Sequence, residues 1–194
     1  MSLYSFEAKL STSEYGVGRV ASALRSTISG IDDVRIATMS EQRLGIDYVA
    51  RTRRGAEINI DLKSRERGCG RWWKDGPEVA LEVWSVTPSQ YELVGRGLKL
   101  DRSGDGRVGW TLDESKHTHY TLHTFDSVDC DTCYVLPFQL LRSVFKDRLF
   151  DWSRTYKVGD QESIGTAGTW GSQCVFVPVG VVLRELTGAM EVAA

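Results

Sequence analysis

The chain has 194 residues, 41% of them apolar and 26% charged, with a formal net charge of −2. That is long enough for one full hydrophobic core and short for two, so a single domain over residues 1–194 is expected. A charge so close to zero gives no whole-molecule attraction for nucleic acid, and any polyanion site must come from a local cluster. No apolar run approaches the roughly 20 residues of a membrane span, and the start Met1-Ser2-Leu3-Tyr4-Ser5 lacks the basic-then-apolar order of a signal peptide. The expectation is a cytoplasmic protein with no membrane partner. On that basis Cys69, Cys130, Cys133 and Cys174 are expected as reduced thiols.

In chain order, Ser11-Thr12-Ser13-Glu14 opens a helix to about Ile28, with Val17, Val20, Leu24 and Ile28 at helical spacing. Val34 to Thr38 alternates like a first strand. Ile46 to Arg51 and Glu57 to Lys63 form two more, joined through the turn Arg53-Arg54-Gly55 as an antiparallel hairpin. A Gly-punctuated loop dense in Arg and Trp follows, from Ser64 to Lys74. Val79 to Val86 reads as a buried strand, and about 95–109 as a surface excursion. Further strands are expected at Val108 to Leu112, His119 to Phe125 and Tyr134 to Leu136. A helix begins after Pro137, with Phe138, Leu141, Phe145 and Leu149 along one face. The tail reads as a loop from Gly159 to Ser172, a strand from Cys174 to Val177 and a short turn of helix after Pro178. This order predicts an α/β fold with a mixed central β-sheet flanked by helices.

The hairpin carries the chemistry. Period two puts Ile58, Ile60 and Leu62 on one strand face and Glu57, Asn59, Asp61 and Lys63 on the other. Asp47 and Asp61 are candidate metal ligands, because carboxylate oxygens suit Mg²⁺, which keeps several of its own waters. Lys63, beside Asp61, suits a role in orienting or helping to deprotonate a water and in stabilising negative charge. Glu57 shares that face but lies roughly 13 Å away at ~3.3 Å per residue and is set aside. The plainer alternatives are an Asp47 pair with Arg51 or Arg53, a solvated face for Asp61 and Lys63, and a capping box between Ser11 and Glu14.

Glu14 on the first helix, Gly45-Ile46-Asp47, the hairpin and Asp61-Leu62-Lys63 together resemble the PD-(D/E)XK nuclease superfamily, which includes many restriction endonucleases and archaeal-type Holliday-junction resolvases. The resemblance covers about residues 10–65. Ile46 stands where the motif has Pro, and Asp61 is the shorter of the two acids the motif allows. The resemblance implies a restriction-endonuclease-like fold and a Mg²⁺- or Mn²⁺-dependent endonuclease hydrolysing DNA phosphodiester bonds, with RNA as the other substrate. It implies Asp47, Asp61 and Glu14 as metal ligands, Lys63 as a catalytic group, Gln139 as a polar residue near the site, and a homodimer. A catalytically inactive binding or interaction module on the same fold is the alternative.

The Arg/Trp loop offers Arg65, Arg67, Arg71 and Lys74 to phosphates and Trp72 and Trp73 to bases. Three other patterns compete less well. His117, His119 and His123 share parity on one strand, Cys130-Asp131-Thr132-Cys133 is a single CxxC, and Asp101 to Gly106 starts like a calcium loop but has Leu112 at its twelfth position.

Overall fold

The computed structural model describes residues 16–65, 76–127, 130–165 and 168–193. The first helix, α1 (Val17–Thr27), buries Val20, Ala21 and Leu24 on the stripe that the helical spacing defines. The strand β1 (Ile31–Ile36) and a single capped turn, α2 (Met39–Gln42), lead to the hairpin β2 (Tyr48–Thr52) and β3 (Glu57–Arg65). Its register sets Tyr48 opposite Ile60 and Arg51 opposite Glu57. Gly55 closes the turn at φ +82°, a conformation that a residue with a Cβ adopts only under strain.

β3 then pairs in parallel with β8 (Tyr120–Ser127), which pairs antiparallel with β9 (Cys130–Pro137). The resulting five-stranded sheet runs β1-β2-β3-β8-β9 and is mixed. Ile58, Ile60 and Leu62 face α1 in one apolar cluster with Leu24, Tyr48 and Leu122. Each fully buried side chain of this size contributes ~1.5–3 kcal/mol, which fixes the register and leaves Asp61 and Lys63 on the opposite face.

That opposite face meets a second layer. The long chain between β3 and β8 contributes β4 (Glu78–Val86), β5 (Tyr91–Val94), β6 (Leu98–Asp101) and β7 (Arg107–Val108). β4 joins a second antiparallel sheet, ordered β10-β11-β4-β7, with β10 (Lys157–Gly165) and β11 (Gly168–Pro178). The helices α3 (Phe138–Thr155) and α4 (Val179–Ala193) pack on it, and Phe138, Leu141 and Phe145 are fully buried as their spacing predicts. The architecture is therefore α/β with a mixed central sheet flanked by helices. Among the described residues no helix is long and apolar enough to cross a membrane.

Three local expectations are corrected. Gly159 to Ser172 belongs to the β10–β11 hairpin, where Gly159 faces Cys174 and admits the Phe176 ring 2.8 Å from its would-be Cβ. The tail helix runs fifteen residues, because Val182 and Leu186 bury on one stripe and offset the two glycines in it. The strand expected at Val108 to Leu112 ends after Val108, where Gly109 turns and donates to the Val83 carbonyl. The segment 95–109 is largely exposed and is anchored through a few buried contacts. Leu98 is fully buried, and the buried Gln173 accepts from Lys99 N at 2.9 Å and donates to Gly97 O and Asp160 Oδ1.

Candidate metal centre

Asp47 begins β2. Its N–H donates to Ile60 O at 2.8 Å and its carbonyl accepts from Ala37 N at 2.9 Å, so its backbone is clamped between two strands. Its side chain reaches across the hairpin, and Oδ2 accepts from Leu62 N at 2.8 Å. This brings it close to Asp61, and a hydrogen bond shared by the two carboxyl groups would require one proton between them. Burial, the Asp61 charge and that shared bond push Asp47 up to about 7, against the pull of the Leu62 N–H and Lys63. Asp61 is 5% exposed, and its Oδ1 lies 2.8 Å from Lys63 Nζ. Period two along β3 delivers Asp61 and Lys63 together, as their spacing predicts.

Two groups missing from the sequence reading complete the surroundings. Trp110 carries Lys63 Nζ 4.5 Å above its ring centroid, an arrangement that holds the ammonium without a second carboxylate. Glu82 of β4 accepts from Trp110 N at 2.9 Å. Its carboxyl is raised chiefly by burial and feels both Lys63 and Asp61. Its signal was visible as a lone acid between Leu81 and Val83 in an apolar strand. Gly109 permits the close approach, since a Cβ there would lie 2.5 Å from Glu82 O.

The histidines do not converge. β8 starts at Tyr120, so His117 and His119 precede it, and His119 Nδ1 accepts from Asn59 N at 2.8 Å. Only His123 lies on the strand, beside Lys63 in register. It is buried against Trp110 and pushed down to about 3 by desolvation and by Lys63 and Arg65, so it is neutral. Among the described residues no three His, Cys, Asp or Glu side chains cluster to hold a metal ion. Asp47 and Asp61 nevertheless fit a hard cation. Both offer oxygen donors, each within reach of the other's charge, and Asp47 is pushed up to about 7, a repulsion that a cation would relieve.

Cys174 on β11 and Cys133 on β9 lie in different sheets. Burial and the Glu82 charge push Cys174 up to about 12, whereas Cys133 is exposed. In iodoacetamide labelling at pH 8 with peptide mapping, Cys133 is expected to be modified well before Cys174. Equal rates would contradict this burial.

Of the other candidates, Gln139 is exposed on the first turn of α3 and accepts from Arg142 Nη1 at 3.3 Å. Its hydrogen-bond partner is Arg142, and among the described residues it does not bond to the carboxylate pair. Arg65 lies with Cζ 4.8 Å over the Phe176 ring. The Asp101 loop is a turn: Asp101 Oδ1 accepts from Ser103 N and Gly104 N. Glu14, Cys69, Arg67, Arg71, Trp72, Trp73 and Lys74 lie outside the described residues. Comparison with known proteins gives no matching family model, no similar characterised protein and no similar solved structure.

Proposed function

We propose that the chain is a metal-dependent nuclease of the PD-(D/E)XK type, hydrolysing DNA phosphodiester bonds at Asp47, Asp61 and Lys63. The observation that carries the reading is the pairing of a half-buried carboxyl just before β2 with the buried Asp61 of β3, whose charge it feels, and a lysine 2.8 Å from Asp61. Mg²⁺ or Mn²⁺ held by Asp47 and Asp61 would polarise the phosphate and lower the pKa of a bound water.

The chain's own groups do the rest. Hydrolysis forms one P–O bond from water, whose proton passes to solvent, and breaks the bond to the departing alkoxide, which takes up a proton from solvent. Lys63 Nζ, restrained by Asp61 and Trp110, holds the attacking water and stabilises the negative charge that develops on phosphorus-bound oxygen. The clamped backbone of Asp47 fixes its carboxylate before substrate arrives, which is the preorganisation such sites require.

A second reading rests on the same ion pair. If Lys63 simply neutralises Asp61, the fold is a binding or interaction module without catalysis. Cleavage of plasmid, single-stranded DNA and RNA with Mg²⁺ or Mn²⁺ separates the two. Replacing Asp61 and Lys63 together with Ala is expected to reduce cleavage by at least about 10²-fold. Equal cleavage by wild type and this double variant would sink the proposal.

A further inference from the structure

Arg142 of α3 is only 7% exposed, and its Nε and Nη2 have no hydrogen-bond partner among the described residues. Its Nη1 donates to Gln139 at the long distance of 3.3 Å. A guanidinium carries five N–H donors, and burying it with most of them unused is unfavourable unless an anion completes it. The group lines a cavity of about 340 Å³ together with Glu114, Gln139, Ser143 and Lys146. The four α3 residues stand at spacings that put them on one helix face. Pro137 at the N-cap makes no side-chain cap, and the first turn of α3 carries no acid, so nothing on that turn offsets the positive end of the helix.

The cavity is connected to the carboxylate pair. Arg142 Cζ rests 4.6 Å over the Phe138 ring, Phe138 stacks on Trp110 at 5.9 Å, and Trp110 lies 4.5 Å beneath Lys63 Nζ. At ~3.4 Å per nucleotide step this is a span of at most about four nucleotides. Glu114 is ion-paired with Lys146 and both side chains are exposed. Such a pair contributes little and opens readily. Glu114 and Asp113 both feel the Arg142 charge.

We propose that this cavity is a second substrate site, in which Arg142, Gln139 and Lys146 hold a phosphate oxyanion of the nucleic acid chain close to the cleavage point. Glu114 stands in for that phosphate when no substrate is bound. The identity of the ligand as nucleic acid rests on the nuclease reading; the anion chemistry of the cavity does not.

The test measures binding of a labelled single-stranded oligonucleotide by fluorescence anisotropy in EDTA, so that cleavage plays no part. Glu114→Gln removes the competing carboxylate from an exposed position and is expected to tighten binding about three- to tenfold. Glu92→Gln is the control, because Glu92 is likewise exposed and ion-paired to an arginine, Arg102. It makes the same change in net charge and is expected to have little effect. Arg142→Lys is expected to weaken binding about tenfold, since an ammonium cannot offer the guanidinium fork. Comparing oligonucleotides with and without a 5′-phosphate tells whether a terminal phosphate or an internal phosphodiester occupies the cavity. No tightening in Glu114→Gln, or equal tightening in Glu92→Gln, would overturn the proposal. Tightening specific to Glu114→Gln with no metal-dependent cleavage by wild type would instead overturn the nuclease reading and leave the anion site standing.

Discussion

Asp47→Asn is expected to be more stable than wild type above pH 7 and inert in cleavage. In the unfolded chain the Asp47 carboxyl titrates near 3.8, and in the fold it is pushed to about 7. Between those values the folded chain holds a proton that the unfolded chain has released, so this group makes stability fall as pH rises from about 4 to 7, with no further change above. The shift corresponds to at most about 4 kcal/mol of destabilisation at pH 8. An Asn keeps an acceptor for Leu62 N and carries a donor that can face Asp61, so it removes the repulsion while retaining the Leu62 bond. A gain of about 2–4 kcal/mol would raise the thermal midpoint by roughly 5–10 °C in a chain of this size.

His123 works in the other direction. Its folded pKa is depressed from 6.5 to about 3, so the stability it allows is present above about pH 6.5 and is lost as pH falls towards 3. In wild type the two slopes oppose each other between about pH 4 and 6.5. In Asp47→Asn only that of His123 remains, so its stability should climb to about pH 6.5 and then level off. Thermal melts in EDTA from pH 5 to 8 check both statements. A lower midpoint for the variant at pH 8 would show that the carboxyl pair is not strained. Adding Mg²⁺ should raise the midpoint of wild type and leave that of Asp47→Asn nearly unchanged.

Gly109→Ala is expected to be destabilised by about 1–3 kcal/mol and to lose most cleavage activity. The new Cβ would sit 2.5 Å from Glu82 O and 2.6 Å from Glu82 C, backbone atoms that cannot swing aside. Relief requires the Gly109 turn to move off β4, which breaks the Gly109 N–H bond to Val83 O and withdraws Trp110 N from Glu82. Trp110 then no longer covers Lys63. Urea unfolding gives the stability change, and the cleavage assay gives the loss. Full activity in a destabilised Gly109→Ala protein would mean that Trp110 and Glu82 play no part at the site.

The hairpin and its acids were legible in the sequence because they depend on short-range rules. Period two places Asp61 and Lys63 on one face whatever the rest of the chain does, and Gly55 marks the turn that brings Asp47 opposite them. Glu82 and Trp110 were not legible in the same way. Their positions are fixed by the docking of the second sheet on the first, which no spacing within 82–110 encodes. The β10–β11 hairpin was hidden for a related reason. Its Gly and polar residues read as loop, and its strand geometry is set by pairing with β4 on the far side of β11. No spacing in the chain marks Arg142, which is buried with its guanidinium 4.6 Å over the Phe138 ring.

The route of the chain between β3 and β8 also governs when the site is complete. The carboxylate hairpin can form from residues close in sequence, but β4 is held by β11, whose last residues precede the final helix. In a chain synthesised from its N-terminus, Asp47, Asp61 and Lys63 therefore meet early, whereas Glu82 and Trp110 take their places only after residue 178 has been made. The fold thus acts as a timer, in which the lysine stays uncovered until the chain has been made through β11.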